Sequence, residues 1–154
     1  MKSEHSKNRT MKKLILTLAA ALVLSVVQAA DNNWQTDLPK AQAQAAKEKK
    51  MVLLDFTGSD WCGWCIKLNK EVFSQSDFKK YADANLVLVE VDFPARKKLS
   101  PEQTKANDAL AKKYNIQGYP TIIVLNGEGK KVGELGYLAG GPKAFIAELE
   151  KLKR

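Results

Sequence analysis

Two cysteines stand three positions apart in Trp61-Cys62-Gly63-Trp64-Cys65, and the chain has no others. Side chains at i and i+3 of a helix share a face, with α-carbons roughly 5 to 6 Å apart, inside the window in which a disulfide closes without moving the backbone. Gly58-Ser59-Asp60 breaks an apolar run just upstream, so the pair falls at a helix start. There, unpaired N–H groups and the positive end of the helix dipole favour an anion, which sets the first thiol, Cys62, below its ordinary pKa. The thiolate is the attacking form. A thiol of pKa about 8.5 is only roughly 3% ionised at pH 7, whereas one near 7 is half ionised. Cys65, one turn deeper, is expected to be less exposed and less acidic. A four-residue ring also makes a poor staple: loop closure over so short a span constrains the unfolded chain by about 2 kcal/mol, against about 3 for a 15-residue loop. The spacing therefore points to a bond that opens and closes, which is thiol–disulfide exchange.

Such a pair needs elements to hold it. Pro39 followed by Ala41, Ala43, Ala45 and Ala46 reads as a helix with Thr36 or Asp37 near its start. Met51 to Thr57 is apolar on successive positions, the pattern of a strand buried on both faces. The helix that begins at the cysteines carries an apolar stripe that takes in Ile66, Leu68, Val72 and Phe73 beside a basic one. A short helix from Ser76 through Tyr81 leads to a second buried strand, Leu86 to Asp92. Ser100-Pro101-Glu102-Gln103 is a helix start with a serine cap, proline at the first position, an acid against the dipole and a glutamine placed to reach back. That helix runs to about Tyr114. Thr121 to Leu125 and Lys131 to Leu135 read as a hairpin around Asn126-Gly127-Glu128-Gly129, whose glycines supply positive φ angles. Gly140-Gly141-Pro142 ends the sheet, and Phe145, Ile146, Leu149 and Leu152 stripe a closing amphipathic helix. With no repeat or linker, this is a single α/β domain of order α, β, α, β, α, β, β, α.

Residues 51–154 resemble the thioredoxin superfamily. VLLDFTGSDWCGWCIKL resembles its strand, loop and Trp-Cys-x-x-Cys helix start; KKYNIQGYPTIIVLNGEGK resembles its second signature; and Gly136 stands where the family has a glycine after the last strand. The resemblance implies a thioredoxin-like fold, a central mixed sheet with helices on both faces. It also implies roles. Cys62 matches the nucleophile that forms a mixed disulfide, and Cys65 the resolving thiol. Asp55 matches a buried carboxylate proposed to relay a proton for the resolving cysteine, although one more residue than in thioredoxin separates it from Cys62. Pro120 matches a proline held in cis beside the cysteines, and with Tyr119 it would offer backbone groups to an extended substrate segment. Trp61 and Trp64 flank the pair; core packing competes with the reading that one lies under the loop while the other is an apolar landing surface.

Between the cysteines stand Gly63 and Trp64, with neither the histidine that resembles oxidase and isomerase members nor the proline of thioredoxin. An imidazolium there would stabilise the reduced thiolate and make the protein more oxidising, so its absence favours a disulfide reductase. Isomerase or weak oxidase activity stays open. The redox group would be the Cys62–Cys65 disulfide itself, with no separate cofactor and no metal. A Cu(I) carrier using the two thiolates and a binding module with an inert ring are the competing classes; closed metal sites want more ligands, and the small ring and nearby acid speak against inertness.

Residues 1–30 read as a secretory signal: Lys2, Lys7, Arg9, Lys12 and Lys13 precede a largely apolar run from Leu14 to Val27, with small residues at a cleavage region after Ala29 or Ala30. Either Met1 or Met11 serves as the start. The mature domain is then 31–154, exported to the periplasm or beyond, where cysteines tend to be oxidised. Of 25 Lys and Arg, five lie in that segment, as does one of 17 Asp and Glu, so the formal charge of +8 falls to +4 afterwards. The only histidine, His5, would be lost too, which removes Ser-His and Cys-His pairs and histidine metal clusters. Lysine pairs at 97–98, 112–113 and 130–131 are scattered among acids, so nucleic acid is not an expected partner. The expected partners are protein thiols and disulfides and a membrane electron transporter as reductant, the chain itself acting as a monomer.

Overall fold

The structure, a computed structural model, describes residues 34–153. The signal segment read over residues 1–30 lies outside them. Leu38–Glu48 (α1) starts where the Asp37 carboxylate accepts the Lys40 N–H at 3.0 Å, and it ends at Lys49, which turns the chain with φ 56°. Met51–Thr57 (β1) is buried at every position. Gly63–Leu68 (α2), with Cys62 at its N-cap and Cys65 in its first turn, runs on through a π-helical turn, Asn69–Phe73. Ser76–Asn85 (α3) leads to Leu86–Asp92 (β2), Pro101–Lys113 (α4), Thr121–Leu125 (β3), Lys131–Leu135 (β4) and Gly141–Lys151 (α5).

The strands lie in the order β2-β1-β3-β4, with β1 and β2 parallel and the remaining pairs antiparallel. Alternation along β1 builds two cores. Val52, Leu54 and Phe56 pack with Leu38, Ala41 and Ala45 of α1 and with Leu110 and Tyr114 on the α4 side. Met51 and Leu53 point the other way, to Leu68, Val72, Phe73, Phe78, Phe145 and Leu149. Helices thus cover both faces, as the fold reading requires, and the central strand is buried throughout, apolar but for Asp55 and Thr57, because neither face meets water.

Four local readings are corrected. Ile66 is 49% exposed and does not belong to the buried stripe. The π-helical turn, marked by the bond from Ser74 N–H to Asn69 carbonyl at 2.8 Å, advances the helix face so that Val72 and Phe73 both reach the core. The helix after Ser76 passes Tyr81 and continues to Asn85, whose side-chain amide donates to the Tyr81 carbonyl at 2.8 Å. Gln103 does not reach back to its helix start; its amide donates to the Thr36 carbonyl at 3.3 Å and to Asn107 Oδ1 at 2.8 Å, while Ser100 Oγ accepts the Gln103 N–H at 3.1 Å. In the hairpin only Gly129, φ 80°, has positive φ, and Asn126 Oδ1 organises the turn by accepting the Glu128 and Lys130 N–H groups at 3.1 and 3.0 Å.

Candidate active site

Cys62 is the N-cap of α2, with extended backbone at φ −80° and ψ 102°. Its Sγ takes the place of a capping oxygen, accepting the Cys65 N–H at 3.2 Å. The sulfurs are bonded at 2.10 Å with α-carbons 5.2 Å apart, within the window set by the i, i+3 spacing. The expected contrast in exposure is absent: Cys62 is 6% and Cys65 5% exposed. Bonding to Cys65 folds the first sulfur back over its own helix turn. At Gly63 an added Cβ would meet nothing within 4 Å, so the surface beside the sulfurs is open.

Both tryptophans lie outside the core, Trp61 49% and Trp64 58% exposed. Trp61 is nonetheless held. Its Nε1 donates to the Phe93 carbonyl at 2.7 Å, its indole covers Gly58, and its edge meets the Tyr119 ring at 5.9 Å. Trp64 leans on Tyr137 at 5.1 Å, and the Lys67 ammonium sits 5.1 Å from the Trp64 ring and 4.9 Å from that of Tyr137. The Tyr137 hydroxyl donates to Glu71 at 2.6 Å. Tyr137 and then Glu71 hold the Lys67 pKa above its ordinary value. Trp61, Trp64 and Ile66 form an exposed apolar rim around the disulfide.

The loop before Cys62 is tied to the loop after β2. Asp92 accepts the Ser59 N–H at 2.9 Å and its hydroxyl at 2.7 Å, and Lys97 Nζ lies 2.7 Å from the same carboxylate. Asp60 accepts the N–H groups of Ala95, Arg96 and Lys97 at 2.8, 2.8 and 3.2 Å. The Ala95 bond leads the interactions that hold Asp60 below the usual carboxylate range. In the sequence Ser59-Asp60 reads only as a break, since their partners lie more than 30 positions away and no local pattern names them.

Asp55 sits on β1 on the same face as Met51 and Leu53, the face covered by α2. It is 8% exposed, and Oδ1 has no hydrogen-bond partner. Burial pushes its pKa up to about 8, with Glu90 and then Asp92 adding to the effect. The Tyr119–Pro120 peptide bond is cis, and the Tyr119 ring lies between Trp61 and Phe93, at 5.9 and 5.3 Å. The aromatic contact brings the β3 entrance beside the cysteine loop. Among the described residues no group of three or more His, Cys, Asp or Glu stands together in a way that could hold a metal ion.

A parallel-and-antiparallel sheet clad on both faces, with a disulfide at a helix N-cap and a cis proline opening β3, defines a thioredoxin-like domain, and residues 38–153 match the thioredoxin-like domain family. The chain belongs to that family. It is 34% identical over 124 residues to the disulfide bond reductase DsbH of Chlamydia pneumoniae, covering 80% of this chain and 74% of the relative. The thioredoxin-related protein DsbJ of the same organism is 30% identical over 130 residues, 80% of this chain but only 37% of that longer protein. A solved structure of a DsbH oxidoreductase superposes with a TM-score of 0.76 at 34% identity, covering 81% of this chain and 86% of the other. With the Cys62–Cys65 disulfide in this fold, the chain is a thiol–disulfide oxidoreductase of the Dsb type.

Proposed function

We propose that the chain is a disulfide reductase of exported proteins, working through a mixed disulfide at Cys62. The observation that carries the reading is the placement of Cys62 Sγ at the α2 N-cap, where the Cys65 N–H reaches it at 3.2 Å. In the reduced protein that donor and the helix start favour the Cys62 thiolate over the thiol. The thiolate attacks one sulfur of a substrate disulfide; a Cys62–substrate bond forms and the substrate's other sulfur leaves as a thiolate. Cys65 then gives its proton to Asp55 and attacks Cys62 Sγ, which closes Cys62–Cys65 and releases the second substrate sulfur. Two electrons pass to the substrate. A membrane-borne dithiol donor returns them to the spent disulfide.

Exposed Trp61 and Trp64 supply an apolar landing for an unfolded or loosely held segment, with Gly63 leaving room beside the sulfur. Tyr119 and Pro120 supply strand-like backbone pairing to the same segment. The reductive direction is supported by the Gly63-Trp64 pair between the cysteines and by likeness to a protein named as a disulfide bond reductase. Residues 1–30 serve as the export signal, and the mature domain is 31–154; N-terminal sequencing of the exported form tests this.

The direction is tested by the equilibrium potential against glutathione. A value near that of thioredoxin, about −270 mV, supports the reductase, and one near about −120 mV, that of a strong oxidant, replaces it with an oxidase. Insulin reduction with dithiothreitol is expected to be lost in Cys62→Ser; equal rates in variant and wild type would end the enzymatic reading.

A further inference from the structure

Asp55 and Glu90 occupy the same level of adjacent parallel strands, paired in register, and alternation puts both on the face covered by α2. Side chains so placed are close neighbours. Asp92, two positions on from Glu90, points the same way, so three carboxyl groups converge at the end of the sheet beside the cysteine loop. They are not equivalent. Asp92 has its cation and donors in Lys97 and Ser59. Asp55 has neither: Oδ1 is buried without a partner, and the charges that bear on it, Glu90 and Asp92, are both negative. Glu90 is half-buried, and burial raises its pKa, Asp92 adding to the rise and Lys97 opposing it.

The other neighbours bring no counter-charge to Asp55. From β3 the register partner is Ile122, which is apolar. Along β1 the residues sharing its face are Met51, Leu53 and Thr57. On the α2 side of the sheet Cys62 and Cys65 are bonded to one another and carry no charge. The cation of the loop after β2, Lys97, is engaged by Asp92 and bears on Glu90.

We propose that Glu90 is a positioning residue for the redox reaction, a negative charge built beside Asp55 that governs how tightly Asp55 keeps its proton. The inference rests on the reading of Asp55 as the proton acceptor for Cys65. Like charges on neighbouring carboxyls oppose a second ionisation, so Glu90 adds to what burial does in raising the proton affinity of Asp55, and the ionised Asp55 that takes the Cys65 proton is the stronger base for it. A proton acceptor matched to the working pH serves the resolving step better than an ordinary carboxylate, whose affinity for a thiol proton is too low.

The test follows the Asp55 carboxyl carbon by NMR against pH in the oxidised full chain, alongside stepwise release of thionitrobenzoate from the mixed disulfide at Cys62. In Glu90→Gln, a near-isosteric change at a half-buried site, the Asp55 midpoint is expected to fall by about one unit, a roughly tenfold loss of proton affinity. Glu90→Asp, which keeps the charge, is expected to restore most of it. An unmoved midpoint in Glu90→Gln overturns the proposal whatever the kinetics do. The pH limb of the second release is expected to move with that midpoint and to vanish in Asp55→Asn. A limb that persists in Asp55→Asn, with the midpoint still shifted by Glu90→Gln, upholds the coupling of the two carboxyls and overturns the relay instead.

Discussion

Trp61 donates its indole N–H to the carbonyl of Phe93 at 2.7 Å, which fixes a half-exposed ring directly before the reactive disulfide. An exposed tryptophan normally samples several rotamers; this one is pinned at its polar edge, while its face lies on Gly58 and its rim on Tyr119. The ring is thereby presented as a rigid surface, and less conformational entropy is lost when a partner lands on it.

Gly58 is the floor of that arrangement. A Cβ there would lie 2.4 Å from Trp61 Cε2, and an indole cannot yield by bending a flexible end. Gly58→Ala is therefore expected to cost about 1–3 kcal/mol in chemical denaturation, in line with other overpacked sites. It should also slow reduction of insulin more than reduction of a small aromatic disulfide, because only the protein substrate needs the landing surface.

Trp64 presents the other side of the rim. Its contacts with Tyr137 and Lys67 orient it without burying it, so Trp64→Ala should leave the melting temperature nearly unchanged. The expected effect is a roughly fivefold rise in KM for a protein disulfide, about 1 kcal/mol of lost contact, with kcat preserved. A fall in kcat at constant KM would move Trp64 from binding to chemistry.

Asp60 ties the cysteine loop to residues 95–97 through three backbone N–H groups, which hold its carboxyl below the usual range. A carboxylate whose pKa is lower in the folded state stabilises the fold above its unfolded pKa, about 3.9, and the benefit disappears as pH falls through the folded value. Asp60→Asn should be less stable than the wild type at neutral pH and lose less stability on acidification. Thermal melts from pH 7 down to pH 2 measure both.

Asp55 has the opposite sign. With its folded pKa raised to about 8, the contribution of Asp55 to stability is fully present below its unfolded value near 3.9 and is lost as pH rises to about 8, because the unfolded chain releases that proton first. Asp55→Asn cannot ionise. Its stability relative to the wild type should therefore increase from pH 4 to pH 8 by an amount on the order of a few kcal/mol and then level off, read from urea denaturation across that range. In the same variant the resolving step should slow, so a more stable protein would be a poorer enzyme.

What the sequence determined by itself was local. Caps at Asp37 and Ser100, the largely apolar run of β1, and the i, i+3 spacing of Cys62 and Cys65 are properties of a few neighbouring residues, and each element appears where those residues put it. Uniform helical winding would put Ile66, Val72 and Phe73 on one stripe; Ile66 is exposed, while Val72 and Phe73 are buried within a π-helical turn. The tertiary structure alone decided which polar side chains meet: Gln103 with Thr36, Ser59 with Asp92, Asp60 with the 95–97 backbone, Trp61 with Phe93. It also decided that Glu90 stands beside Asp55, since that depends on the register of two strands separated by the helices between them. A hydrogen bond or charge pair across such a separation is set by how strands align and helices pack, and the residue types at its two ends carry no mark of each other until the chain has closed the distance.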